Sequence, residues 1–165
     1  MKFQRQVSRR LHDEHVAMLE LLGQFAQALG RLKTEPPAAG DPVWAKLLAS
    51  LEAALQYEVS PHFDFEEVQL FPRLHQSGNG ELAEMLFEEH EAIRRVVQPL
   101  FEPLAKARAH RLDGPGWQSL KVSGMELVER LGSHAEKEQA ALVPLIDELL
   151  DEQTDRELSE AYGLA

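Results

Sequence analysis

The segment His62-Phe63-Asp64-Phe65-Glu66-Glu67-Val68-Gln69-Leu70-Phe71-Pro72-Arg73-Leu74 sets an imidazole and a carboxylate four residues apart. On a helix such residues share one face, one turn apart, so His62 and Glu66 can converge on one cation. A single pair of this kind is ordinary on a solvated helix, where it reads as an ion pair. Here it is repeated, in His134-Ala135-Glu136-Lys137-Glu138. His62 and His134, Glu66 and Glu138, and Pro72 and Pro144 all lie 72 residues apart, and Leu74 and Ile146 keep that offset. The chain carries an internal repeat.

Composition narrows the classes. A length of 165 residues fits one domain with a sizeable core. The formal net charge of −11 argues against a nucleic-acid partner, because affinity for a phosphate backbone comes mainly from basic side chains. The absence of cysteine excludes disulfides, thiolate metal sites and iron–sulfur clusters. Met1-Lys2-Phe3-Gln4-Arg5-Gln6 lacks the apolar core of a signal peptide, and no apolar run is long enough to span a bilayer. A cytoplasmic protein without a membrane partner is expected.

In chain order, residues 4–33 place Leu11, Met18, Leu22, Phe25 and Leu29 on one helical stripe that also holds His15. Thr34 to Asp41, with two prolines and a glycine, reads as a loop. Asp41-Pro42 starts a second helix as N-cap and first-turn proline. Its stripe of Leu48, Leu51 and Leu55 continues through His62, Glu66 and Leu70, and Pro61 is expected to loosen or kink it. Gln76 to Gly80 is a turn cluster. A third helix, from Glu81 to His110, carries Leu86, His90, Ile93, Val97, Leu100 and Leu104 in register. Glu89-His90 mirrors Glu14-His15 at an offset of 75 residues. Leu112 to Gly116 breaks the chain again, and a fourth helix from Trp117 to Leu150 aligns Leu120, Leu127, Leu131, His134, Glu138, Leu145 and Leu149. The expectation is an all-α, up-down-up-down antiparallel four-helix bundle over residues 1–150. Residues 151–165 form a C-terminal tail, in which Thr154-Asp155-Arg156-Glu157 resembles a capping box opening a short helix.

Counting along each helix from the loops puts His15, His62, His90 and His134 in one layer, to within about a turn at ~1.5 Å per residue. Helices two and four run in the same direction, so Glu66 and Glu138 lie together about 6 Å to one side of that layer. Two carboxylates inside an apolar core repel and lose hydration, at a cost of several kcal/mol unless compensated. A metal cation compensates, and imidazole with carboxylate suits iron, manganese or zinc. The expected metal residues are thus His15, His62, Glu66, His90, His134 and Glu138.

These residues resemble the hemerythrin-like, or HHE cation-binding, proteins over roughly residues 8–150. The likeness rests on Asp13-Glu14-His15, on His62-Phe63 with Glu66-Glu67 and Leu70-Phe71-Pro72, on Glu89-His90, and on His134 with Glu138. It implies a non-heme di-iron centre with a solvent-derived oxo or hydroxo bridge. The four histidines would ligate the irons and Glu66 and Glu138 would bridge them, with zinc or manganese as substitutes. The oxygen-carrying members have a fifth histidine four residues after the one matching His90; here that residue is Arg94. Each iron would then keep a vacancy, an arrangement suited to reaction rather than reversible carriage. The implied partner is a small diatomic or peroxide ligand: oxygen, peroxide or nitric oxide. Three uses compete: an enzyme consuming peroxide or reducing oxygen, a protein that senses or sequesters gas or iron, and a structural metal clip.

Other residues read more plainly. His12, one turn before His15, is a helix-start histidine, with a supporting or fifth-ligand role as the alternative. Glu58, four residues before His62, reads as a surface acid, with a place at the opposite mouth of the site as the alternative. His75 and His110 sit at helix ends, where a cation is favourable. Trp44 and Trp117 are packing anchors.

Overall fold

The computed structural model describes residues 3–32, 36–38 and 41–163. Thr34, Glu35, Ala39 and Gly40 of the expected Thr34–Asp41 loop, Met1 and Lys2, and the last two residues of the expected tail lie outside the described residues. Four long helices form the body: α1 (Gln6–Arg31), α2 (residues 42–76), α3 (residues 80–108) and α4 (residues 114–149), followed by a short α5 (Glu152–Ala161). α1 and α3 each pack against both α2 and α4, and α5 packs back on α1. At Gly124 a Cβ would come within 2.8 Å of Leu29 and 2.9 Å of Phe25, so α4 needs a glycine there to approach α1.

Apolar side chains form two clusters along the bundle. One holds Met18, Leu22, Phe25 and Leu29 of α1 with Leu51, Ile93, Val97, Leu127 and Leu131. The other holds Val7 and Leu11 with Leu70, Leu74, Leu86, Leu142 and Ile146. On every long helix the expected metal residues fall between the two. Trp44 and Trp117 meet edge to face, 5.1 Å between centroids, where helices two and four begin.

α2 and α4 are continuous but change pitch. Within α2, Glu58–His62 and Glu66–Leu70 are π-helical; within α4, Glu138–Leu142 is. Proline inside an α-helix lacks a donor and clashes with the carbonyl four residues back, a cost of ~3 kcal/mol. Pro72 and Pro144 each stand just after a widened turn that begins at Glu66 or Glu138. The prolines of the repeat thus mark the turns that carry the buried glutamates. Pro61 lies within a π-turn and the helix runs on through it.

Several boundaries differ from the sequence reading. α4 opens at Gly114 because Asp113 caps it, accepting the Gly116 N–H at 2.8 Å, with Pro115 in the first turn. Pro99 is accommodated by a 3-10 turn, Gln98–Leu100, inside α3. α5 is capped by Asp151, which accepts from Thr154 at 2.7 Å, rather than by Thr154. The α1 N-terminus has no cap of its own from Arg5. Instead Asp155 of α5 accepts the Gln6 and Val7 N–H groups at 2.8 and 3.0 Å, and Asp147 of α4 accepts those of Gln4 and Arg5. Among the described residues no helix is long and apolar enough to cross a membrane.

Candidate metal centre

All four histidines turn Nε2 inward. His15 Nε2 lies 3.2 Å from His62 Nε2 and 3.1 Å from Glu138 Oε2. His62 Nε2 is 3.4 Å from Glu66 Oε1, and His90 Nε2 is 3.3 Å from Glu66 Oε2. His134 Nε2 is 3.1 Å from Glu138 Oε1, which also faces His90. Each glutamate therefore presents one oxygen to the His15–His62 side and the other to the His90–His134 side. The donor atoms form two groups, His15-His62-Glu66-Glu138 and Glu66-His90-His134-Glu138, each with its ligand atoms within 4.8 Å of one another. The structure brings all six expected residues together, and all six are buried.

This layer is short of hydrogen-bond partners. Both oxygens of Glu66 and of Glu138, with Nε2 of His90 and His134, are buried without a hydrogen-bond partner. Burial and the facing Glu138 oppose ionisation of Glu66, but the imidazoles prevail and hold its carboxyl below the usual range. Glu138 is likewise held well down, chiefly by His134 against burial. In return, and against burial, Glu138 and Glu89 push His134 up to about 10, and His62 and His90 are also raised. Protons on these rings do what a cation does better: a cation satisfies carboxylate oxygens and ring nitrogens together. The donor set fits metal ions of the imidazole–carboxylate class.

Outside it lies a second ring that the sequence reading missed. Glu14 accepts His62 Nδ1–H at 2.9 Å, Glu67 accepts that of His90 at 2.7 Å, and Glu89 that of His134 at 2.9 Å. Such carboxylates fix the tautomer that frees Nε2 for a metal and raise its basicity. Glu14 also accepts the hydroxyls of Tyr57 at 2.9 Å and Tyr162 at 2.7 Å. Burial opposes its charge, but His62 and the tyrosines bring its carboxyl down to about 2. Tyr162, just past α5, stacks on Phe65 at 3.9 Å. Burial, with Tyr57 and Glu14 beside it, holds its hydroxyl protonated. The signal available was adjacency: each carboxylate neighbours an expected ligand in sequence.

Three other candidates are now placed. Arg94 turns away from the centre, donating to Glu67 at 2.8 Å, to Glu91 at 3.1 Å and to the Val59 carbonyl at 3.2 Å. His12 is outside both ligand groups; it packs on Phe3 and accepts a hydrogen bond from Gln139 at 2.7 Å. Glu58 corrects the sequence reading: it is 2% exposed, its Oε1 has no partner, and burial raises its carboxyl despite the pull of His62 and His15. The π-turn at Glu58–His62 turns it inward. A groove of about 220 Å³ between α3 and α4, lined by Glu89, Ile93, Arg130, Ser133 and His134 among others, reaches the layer from outside.

No curated protein resembles the chain closely enough to count as a match. The family model described as the hemerythrin HHE cation binding domain matches residues 6–146, a span that contains all six inward donors and ends before α5. The chain belongs to the hemerythrin HHE cation-binding family.

Proposed function

We propose that this chain is a non-heme di-iron protein that reacts with or senses oxygen, peroxide or nitric oxide. The observation that carries the reading is the sharing of both glutamates between two four-residue donor groups. His15, His62, Glu66 and Glu138 would hold one ion and Glu66, His90, His134 and Glu138 a second, with each glutamate contributing to both. Bound iron supplies redox chemistry toward small oxidants and nitric oxide. The protein's own part is to hold His62, His90 and His134 by Nδ1, to keep the Glu66 and Glu138 carboxylates within the layer, and to exclude bulk water with the two apolar clusters. The groove lined by Glu89 and His134 lies at the outer edge of the layer.

Arg94 separates this chemistry from oxygen transport. It stands one turn after His90, where the oxygen carriers have a further ligand, and it is always protonated and cannot coordinate. Its guanidinium braces Glu67, the partner of His90. Without a nitrogen ligand at position 94, the residues present would leave both ions open to a further ligand, so the reduced, iron-loaded protein is expected to be oxidised by oxygen rather than to bind it reversibly. Stopped-flow spectra of the reduced, iron-loaded protein against oxygen, peroxide and nitric oxide test this. Rapid oxidation or a stable nitrosyl spectrum supports it; an oxygenated spectrum reversed by deoxygenation overturns it. A centre inert to all three identifies a structural clip.

A further inference from the structure

The outer ring follows the internal repeat with one departure. Glu14 and Glu89, 75 residues apart, hold the histidines of α2 and α4. Glu67 of α2 holds His90 of α3. The residue 72 positions after Glu67 is Gln139 of α4, which packs against α1, the helix of His15. Repeat and packing together point Gln139 at His15, as Glu67 points at His90.

The hydrogen bonds leave those two groups unanswered. Gln139 Nε2 donates to His12 Nδ1 at 2.7 Å and approaches the His12 carbonyl at 3.5 Å, one turn before His15. Gln139 Oε1 is buried without a donor, and His15 Nδ1 is buried without an acceptor. An imidazole that binds metal through Nε2 carries its proton on Nδ1 and needs an acceptor there. His12 holds the amide nitrogen, which leaves the oxygen for His15.

We propose that Gln139 is the positioning residue of His15, accepting its Nδ1–H when the ring holds metal. A neutral amide stands where the other three histidines have a carboxylate, and a neutral hydrogen bond is weaker than a charge-assisted one. His15 is therefore the least firmly held of the four imidazoles, and an ion between His15 and His62 is the more weakly bound. This inference rests on the two-ion reading above.

The test is metal release. The full chain is loaded with zinc, its content measured, and the ions removed by excess chelator. Wild type should release two equal phases, the faster assigned by its loss in His15→Gln. Gln139→Leu should speed the fast phase by roughly 10-fold, the usual effect of losing such a partner, and leave the slow phase in place. Gln139→Asn, too short to reach, should behave alike. Gln139→Glu should slow the fast phase toward the other, a gain that a merely structural residue does not produce. Two ions whose release ignores all three variants, or a change confined to the slow phase, overturns the assignment to Gln139 alone. Fewer than two ions per chain in wild type overturns the two-ion reading and this inference with it.

Discussion

The two donor groups share Glu66 and Glu138 and differ in what stands behind their histidines. Behind His90 and His134, the carboxylates Glu67 and Glu89 meet cations, Arg94 and Lys137. Behind His62, Glu14 meets Arg10 at the surface but also two tyrosine hydroxyls, one carried past the end of α5. Behind His15, no carboxylate among the described residues accepts from Nδ1. The repeat has preserved the atoms that face inward, where two carboxylates and four imidazoles must fit one geometry. It has diverged where several arrangements can hold a ring. One half is braced by ion pairs across α2, α3 and α4; the other depends on a helix beyond the span that matches the family.

The largest break in this picture should come from the residues common to both halves. Glu66→Gln or Glu138→Gln removes a charge shared by both ions, so each variant should lose the paired site, read as metal per chain. Acid should do the same reversibly. His134 in the chelator-treated chain keeps its proton up to about 10, against an ordinary 6.5. A raised value means that its contribution to stability is complete below 6.5 and is lost as pH rises through about 10. Metal takes the same nitrogen, so metal affinity rises with pH over that range. The melting temperature of the chelator-treated chain should fall from pH 7 to 10, and that of the loaded chain should not follow it.

Next in size are the outer carboxylates, which separate the halves. Glu14→Gln should weaken the ion beside His62, and Glu89→Gln the ion beside His134, each by about 10- to 100-fold. Equal weakening of both ions by either variant would erase the distinction. The smallest expected effect concerns α5. Asp155→Ala removes the cap of α1 and should cost about 1–2 kcal/mol, a fall in Tm of roughly 2–8 °C for a chain of this size. Unchanged melting would show that α5 does not secure that end of the bundle.

The inner site was legible because helical periodicity and a two-fold repeat act on the same residues: His62 and Glu66 gain meaning from His134 and Glu138. The outer ring was not, because Glu14, Glu67 and Glu89 each sit one position from a ligand, about 100° round the helix. There they read as solvated acids until the neighbouring helix is in place. Glu58 was misread for a related reason. A count of 3.6 residues per turn does not describe a π-turn, and only Pro61 hinted that the pitch changes. Asp155 offered no local sign of its role, since the N–H groups it accepts lie 149 and 148 residues away in sequence.

The central claim is a pair of ions sharing Glu66 and Glu138, and anomalous diffraction at the iron edge from iron-loaded crystals tests it most directly. Two peaks per chain are expected, one beside His15 and His62 and one beside His90 and His134, with a glutamate oxygen from both Glu66 and Glu138 on each. A single peak, or two peaks with either glutamate bound to only one of them, would contradict it.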